Sequence, residues 1–117
     1  MNDTTIMANI WDFLSTKNVV CIPINTQVNS HGQLVMGSGM AKDAYQMFPE
    51  IAESFGQQIQ KGNIFPNYVD PVTKYKLKGL PVKRNWREPS EWDYIFLCIE
   101  HLAEKGRPEL NYFIPLS

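Results

Sequence analysis

Two cysteines in 117 residues are too few for a disulfide framework. Cys21 and Cys98 also lack metal-ligand spacing, so both are expected as buried, reduced thiols, with no metal and no cofactor. Neither sign of charge is in excess: eleven Lys and Arg against twelve Asp and Glu leave a formal net charge of −1. That balance excludes a protein drawn to duplex nucleic acid by bulk attraction. No apolar run approaches the roughly 20 residues needed to span a bilayer. The opening MNDTTIMANIWDF has neither a basic stretch nor a long apolar one, so no signal peptide and no membrane are expected, and a cytoplasmic location is. Internal repeats, low-complexity tracts and linkers are also missing.

What is present is ordinary for one globular domain: 117 residues, 44% hydrophobic and 20% charged. The periodicities alternate. Thr4 to Ile10 carries β-branched residues and is expected as a first strand, followed by an apolar cluster, Trp11, Phe13 and Leu14, that suits core packing. Lys17-Asn18 reads as a turn. Val19 to Ile24 is a continuous apolar run, as in a central strand covered on both faces, and Pro23 within it implies a bulge or one-sided pairing.

From Gly39 the spacing turns helical: Ala44, Phe48, Ile51, Ala52, Phe55 and Ile59 recur at three and four residues. Pro49 either splits this region into two helices or stands in the first turn of the second, and Lys61-Gly62-Asn63 stops it. Ile64 to Val69 and Tyr75 to Val82 read as strands joined by Asp70-Pro71-Val72-Thr73, with Pro66 marking the first as irregular or an edge. Ser90 opens a further helix with Trp92, Ile95, Phe96, Ile99 and Leu102 on its apolar face, ended by Glu104-Lys105-Gly106. Asn111 to Leu116 reads as a buried strand. Alternation of this kind specifies an α/β sandwich.

The chemistry concentrates between Ile22 and Phe48. A strand, a polar loop, Gly37-Ser38-Gly39 and a helix follow in that order, which aims backbone N–H groups and the positive end of a helix dipole at an anion, usually a phosphate. The glycines equally suit a loop that needs φ > 0 before a helix. Neither the dinucleotide-binding glycine fingerprint nor the Walker loop is present, because the spacing is wrong and no Lys-Ser/Thr pair follows. Asn25 and Asn29 can bond a ribose hydroxyl or their own backbone. His31 and His101 are expected to be without a catalytic role. Lys83, in LPVKRNWREPS, follows a strand end, where α/β proteins collect ligands. There it can steady a phosphate or act as a nucleophile, or remain a solvated charge. With Arg84, Trp86 and Arg87 it also forms a small basic, aromatic patch suited to a nucleic acid.

Two of these segments carry a resemblance. VMGSGMA (Val35 to Ala41) resembles the VMGxGxA phosphate loop of macro domains, which bind ADP-ribose, and IPINTQVNSHGQ resembles the strand and asparagine ahead of it. LPVKRNWREPS is similar to the FPxKxxW segment of a bacterial and phage subgroup of that family. The resemblance implies a three-layer α/β/α sandwich with a mixed sheet and ADP-ribose in a cleft along the strand ends. The diphosphate and distal ribose would lie on Gly37, Ser38, Gly39 and Met40, with Asn25 close to that ribose and Thr26, Val35 and Met36 as further ligand-binding residues. Asn25 and Lys83 are the implied catalytic pair, for removal of ADP-ribose from protein or nucleic acid or for hydrolysis of ADP-ribose 1″-phosphate. A non-catalytic ADP-ribose-binding module is the alternative.

Two departures accompany it. Ala8-Asn9-Ile10 stands where the family often has Gly-Asp-Ile, so Asn9 would accept from the adenine amino group without charge assistance, with Ile10 beside it. A second phosphate loop, a GCGxGG-like stretch expected after Tyr112 to Leu116, and a last helix are not in the sequence. The domain is therefore expected to be short at its C-terminal end, with one wall of the cleft missing and a face open to homodimerisation.

Overall fold

The computed structural model describes residues 9–81 and 100–115. Its sheet has four strands in the order β2-β3-β1-β4: β1 (Asn18–Pro23), β2 (Asn67–Val69), β3 (Lys76–Leu80) and β4 (Asn111–Phe113). β1 pairs in parallel with β3 and with β4, whereas β2 runs antiparallel to β3, so the sheet is mixed.

Strand alternation divides the apolar residues between two faces. Ile22 and Ile24 point into one cluster with Leu77, Tyr68 and the buried sides of α1 (Gly39–Met47) and α2 (Ile51–Gln60), namely Ala41, Ala44, Ile51, Ala52 and Phe55. Val19 and Cys21 point the other way, into a second cluster with Leu80, against which Phe65, Leu102, Leu110, Tyr112 and Ile114 pack. Leu102 belongs to a helical segment at 100–105. Helices thus cover both faces, giving the three-layer α/β/α sandwich.

Each boundary has a local cause. Pro49 separates α1 from α2, standing just ahead of the α2 cap at Glu50 rather than within its first turn. Pro23 fits a central strand because of where its missing N–H would point. Ile24 N donates to Leu80 O at 2.8 Å, so alternation turns the nitrogen of residue 23 away from β3. On that other side β4 reaches only as far as Val20. The pairing is one-sided there, as the proline requires.

Four expectations need correction. Ile10 does not end a strand: Asn9 caps a 3₁₀ turn, Ile10–Phe13, its Oδ1 accepting from Trp11 N at 3.0 Å. Asn18 opens β1 rather than turning into it. The strand expected from Ile64 is reduced to Asn67–Val69, because Asn63 Oδ1 takes the Phe65 amide in a local turn and Pro66 has no N–H. β4 is shorter than Asn111 to Leu116 and half-buried, since among the described residues it has a neighbour on one side only. Trp11 and Leu14 pack on the first cluster, and Phe13 stacks on Phe113 with centroids 4.5 Å apart. The rest of the expected first strand, Cys98 and the start of the Ser90 helix lie outside the described residues, and Cys21 is buried in β1. No helix among the described residues is long and apolar enough to cross a membrane.

Candidate functional site

The parallel strands β1 and β3 finish side by side, with Pro23 in register with Leu80. After β1 the chain passes to α1 on one face of the sheet, and after β3 it reaches, at 100–105, the opposite face. Adjacent strand ends whose connections depart to opposite faces leave a crevice between them, the position where open α/β sheets take ligands.

The loop from Asn25 to Ser38 leaves the end of β1 at this edge and is tied down along its length. It folds back on itself through a bridge between Val28 and Leu34, with Val35 N donating to Gln27 O at 2.8 Å. Asn29 turns it, Oδ1 accepting from His31 N (2.9 Å) and Gln33 N (3.0 Å). Leu34 is buried, and its amide donates to Ala52 O of α2 at 2.8 Å. Asn25 spans the base: Oδ1 accepts from Gln27 N at 2.8 Å and Nδ2 donates to Val35 O at 3.1 Å. Both ends of this amide therefore hold the loop, each with one further hydrogen-bonding position in reserve. Asn29 is a turn residue, and His31 is exposed.

The loop delivers three exposed residues, Gly37, Ser38 and Gly39, to the start of α1. Ser38 is the N-cap in extended backbone (φ −153°, ψ 159°), and its side chain makes no cap hydrogen bond. The first intrahelical bond runs from Lys42 N to Ser38 O at 3.3 Å. The amides of Gly39, Met40 and Ala41 precede it, so helix geometry leaves them without an intrahelical acceptor, and the hydroxyl that commonly caps such amides does not. The first turn of α1 carries no acidic side chain that would compensate the dipole. Donors without an acceptor among the described residues and a positive helix end stand together near a strand edge, an arrangement whose chemistry suits an anion.

The other expected residues take distinct positions. Met36 is buried and Met40 packs against the core, so what either offers the crevice is main chain. Thr26 and Val35 are exposed on the loop. Asn9 is exposed, and the bond from Trp11 N uses one lone pair of its amide oxygen, leaving the other. Ile10, next to it, is half-buried. Lys83, three residues past the end of β3, lies outside the described residues, as do Arg84, Trp86 and Arg87.

Sequence reasoning missed Gly56. It lies in the middle of α2 where the site loop crosses, and a Cβ there would stand 2.1 Å from Gly32 O and 2.9 Å from Leu34 N. The available signal was a glycine inside a strongly helical pattern, which costs stability unless something approaches closely.

No family profile matches this chain, and no curated protein matches it. Solved structures do. The macrodomain of Thermus aquaticus DarG superposes with a TM-score of 0.56 at 17% identity, over 94% of this chain and 95% of that one. Thermosipho africanus DarTG, in complex with ADP-ribose, superposes at 0.54 and 20% identity over 84% of this chain, which spans 29% of the DarTG chain. At these identities the likeness is one of architecture, and it agrees with the mixed sheet and the helical layers: this chain has the macrodomain fold.

Proposed function

We propose that this chain binds ADP-ribose, free or attached to a protein or nucleic acid, and hydrolyses the ADP-ribosyl linkage. The observation that carries the binding is the open N-terminus of α1: three amides without an intrahelical acceptor, a cap residue whose hydroxyl is unused, and two exposed flanking glycines. A diphosphate supplies the charge and the acceptor oxygens these donors lack, and with no Cβ on residues 37 and 39 it can approach the main chain. The position in the fold supports the reading, since a structure of the same architecture is a complex with ADP-ribose.

The distal ribose would then lie toward Asn25, Thr26 and Val35, on the loop that the Asn25 amide fixes. The adenine would be received near Asn9 and Ile10, whose remaining acceptor capacity suits an exocyclic amine. For hydrolysis the reading assigns Lys83, which follows the strand whose end borders the crevice. Its side chain, as the neutral amine, would attack the anomeric carbon as the bond to the departing carboxylate or base breaks, and water would then free ADP-ribose from the lysine while the helix N-terminus holds the diphosphate.

Calorimetric titration with ADP-ribose tests binding: saturable heat is expected, and none would remove the assignment. Incubation with ADP-ribosylated protein and ADP-ribosylated DNA tests turnover, with release of ADP-ribose expected from one of them and lost in Lys83→Ala. Binding without release would leave a binding module. Release at an unchanged rate in the variant would take Lys83 out of the mechanism.

A further inference from the structure

On the sheet face opposite α1 and α2, His101 of the 100–105 helical segment lies flat on Phe65, with ring centroids 3.8 Å apart and planes 6° from parallel. Its Nε2 is buried and, among the described residues, has no hydrogen-bond partner. Lys78 reaches the same place from β3. It is a lysine exposed by only 7%, its ammonium donating to Asn67 Oδ1 at 3.1 Å and to Phe65 O at 3.4 Å. The main-chain carbonyl of Phe65, the residue on which the imidazole stacks, thus already serves one cation.

We propose that His101 is a pH-sensitive latch, whose protonation releases the 100–105 segment from the sheet. A neutral imidazole leaves only an unused acceptor in the stack, a modest cost. The imidazolium would bury an N–H with no acceptor and a second positive charge beside Lys78, and such a charge is tolerated only when paired. Among the described residues the charged groups bearing on His101 are Lys78 from β3 and Lys105 and Glu104 from its own segment, so opposition outweighs support. Burial first, then the two lysines, holds the imidazole below its ordinary value of 6.5. Release also uncovers apolar surface, because Leu102 on the same segment packs on Val19, Cys21 and Leu80. Leu80 ends β3 at the crevice, so the latch and the ligand site share a strand.

The sign follows from the lowered folded value. The docked state is fully favoured above about pH 6.5, and the undocked state gains a proton as pH falls below it. The Gly106 amide, which donates to Leu102 O at 2.8 Å, reports the segment. Its hydrogen-exchange protection, corrected for intrinsic rates, should be flat above about pH 6.5 and fall by up to about tenfold per pH unit below it. His101→Phe, which keeps a stacked ring without a titrating group, should remove that slope. The same slope in both proteins would overturn the latch. So would a wild-type His101 imidazole that titrates by NMR at or above about 6.5; this second measurement decides the matter even if the variant does not fold.

Discussion

The side-chain amide of Asn25 joins the end of β1 to the carbonyl of Val35, ten residues further on, at 3.1 Å. The same side chain takes the Gln27 amide at 2.8 Å, so one residue closes the loop that carries the glycines. Hydrogen bonds of this kind contribute about 1 kcal/mol each. Asn25→Ala is therefore expected to lower ADP-ribose affinity by about tenfold through loop disorder, with a melting temperature a few degrees lower. Asn25→Asp keeps the acceptor for Gln27 but faces Val35 O with a carboxylate, and should bind no better than the alanine variant. Wild-type affinity in Asn25→Ala, measured by calorimetry, would show that the tether does not shape the site.

Gly37 and Gly39 should respond differently to the same change. Gly39 has φ +62°, a left-handed conformation that costs an L-residue roughly 1–2 kcal/mol. Gly37 has no such φ, and a Cβ there would meet nothing within 4 Å. Gly39→Ala is thus expected to lower both melting temperature and affinity. Gly37→Ala should leave the melting temperature within about 1 °C and weaken ADP-ribose alone, because its methyl group would stand where the diphosphate approaches. Equal affinity in Gly37→Ala and wild type would place the ligand elsewhere.

Much of this architecture was legible in the sequence, and for local reasons. The apolar run of β1, the spacing from Ala44 to Ile59 and the break at Pro49 follow from period and proline chemistry alone. The glycine loop was legible as the approach to a helix start, because the order strand, glycines, helix already fixes where the first amides point. What escaped was which of several possible partners a side chain takes, some of them near and some distant along the chain. The Asn25 amide is occupied by Val35 and Gln27, which its own neighbourhood left undecided between ligand and backbone. His101 gained its surroundings from Phe65 and Lys78, across the sheet. Asn9 was read as strand and ligand residue, yet its side chain first caps a 3₁₀ turn.

The crossing at Gly56 predicts the largest single-residue effect on stability. A methyl group there would sit 2.1 Å from Gly32 O and 2.9 Å from Leu34 N, and both are backbone atoms that cannot swing aside as a side-chain end does. Either α2 or the site loop must shift, breaking the bond from Leu34 N to Ala52 O. Helix propensity alone would make Gly56→Ala stabilising by roughly 1 kcal/mol. The expected outcome is the opposite sign, a loss of more than about 2 kcal/mol in denaturant unfolding. A neutral or stabilised Gly56→Ala would show that the loop does not lie on the helix as described.

Asp70 makes the β2–β3 hairpin acid-sensitive. Its Oδ2 accepts from Thr73 N (2.8 Å), Thr73 Oγ1 (3.0 Å) and Val72 N (3.2 Å), and its Oδ1 from Tyr68 Oη–H (3.4 Å). These donors, the Thr73 amide foremost, favour the charged form and hold the carboxyl below its usual 3.8. A depressed folded value means that the carboxylate's contribution is complete above about pH 3.8 and disappears as pH falls through the lower, folded value. Amide exchange at Thr73 and Val72 should therefore remain protected at pH 5 and lose protection only as the solution is taken below about 3.8. Asp70→Asn can supply one amide oxygen but not two charged ones, so it should show weak protection of these amides at every pH. If the variant and the wild type have the same protection at pH 5, the carboxylate does not organise this turn.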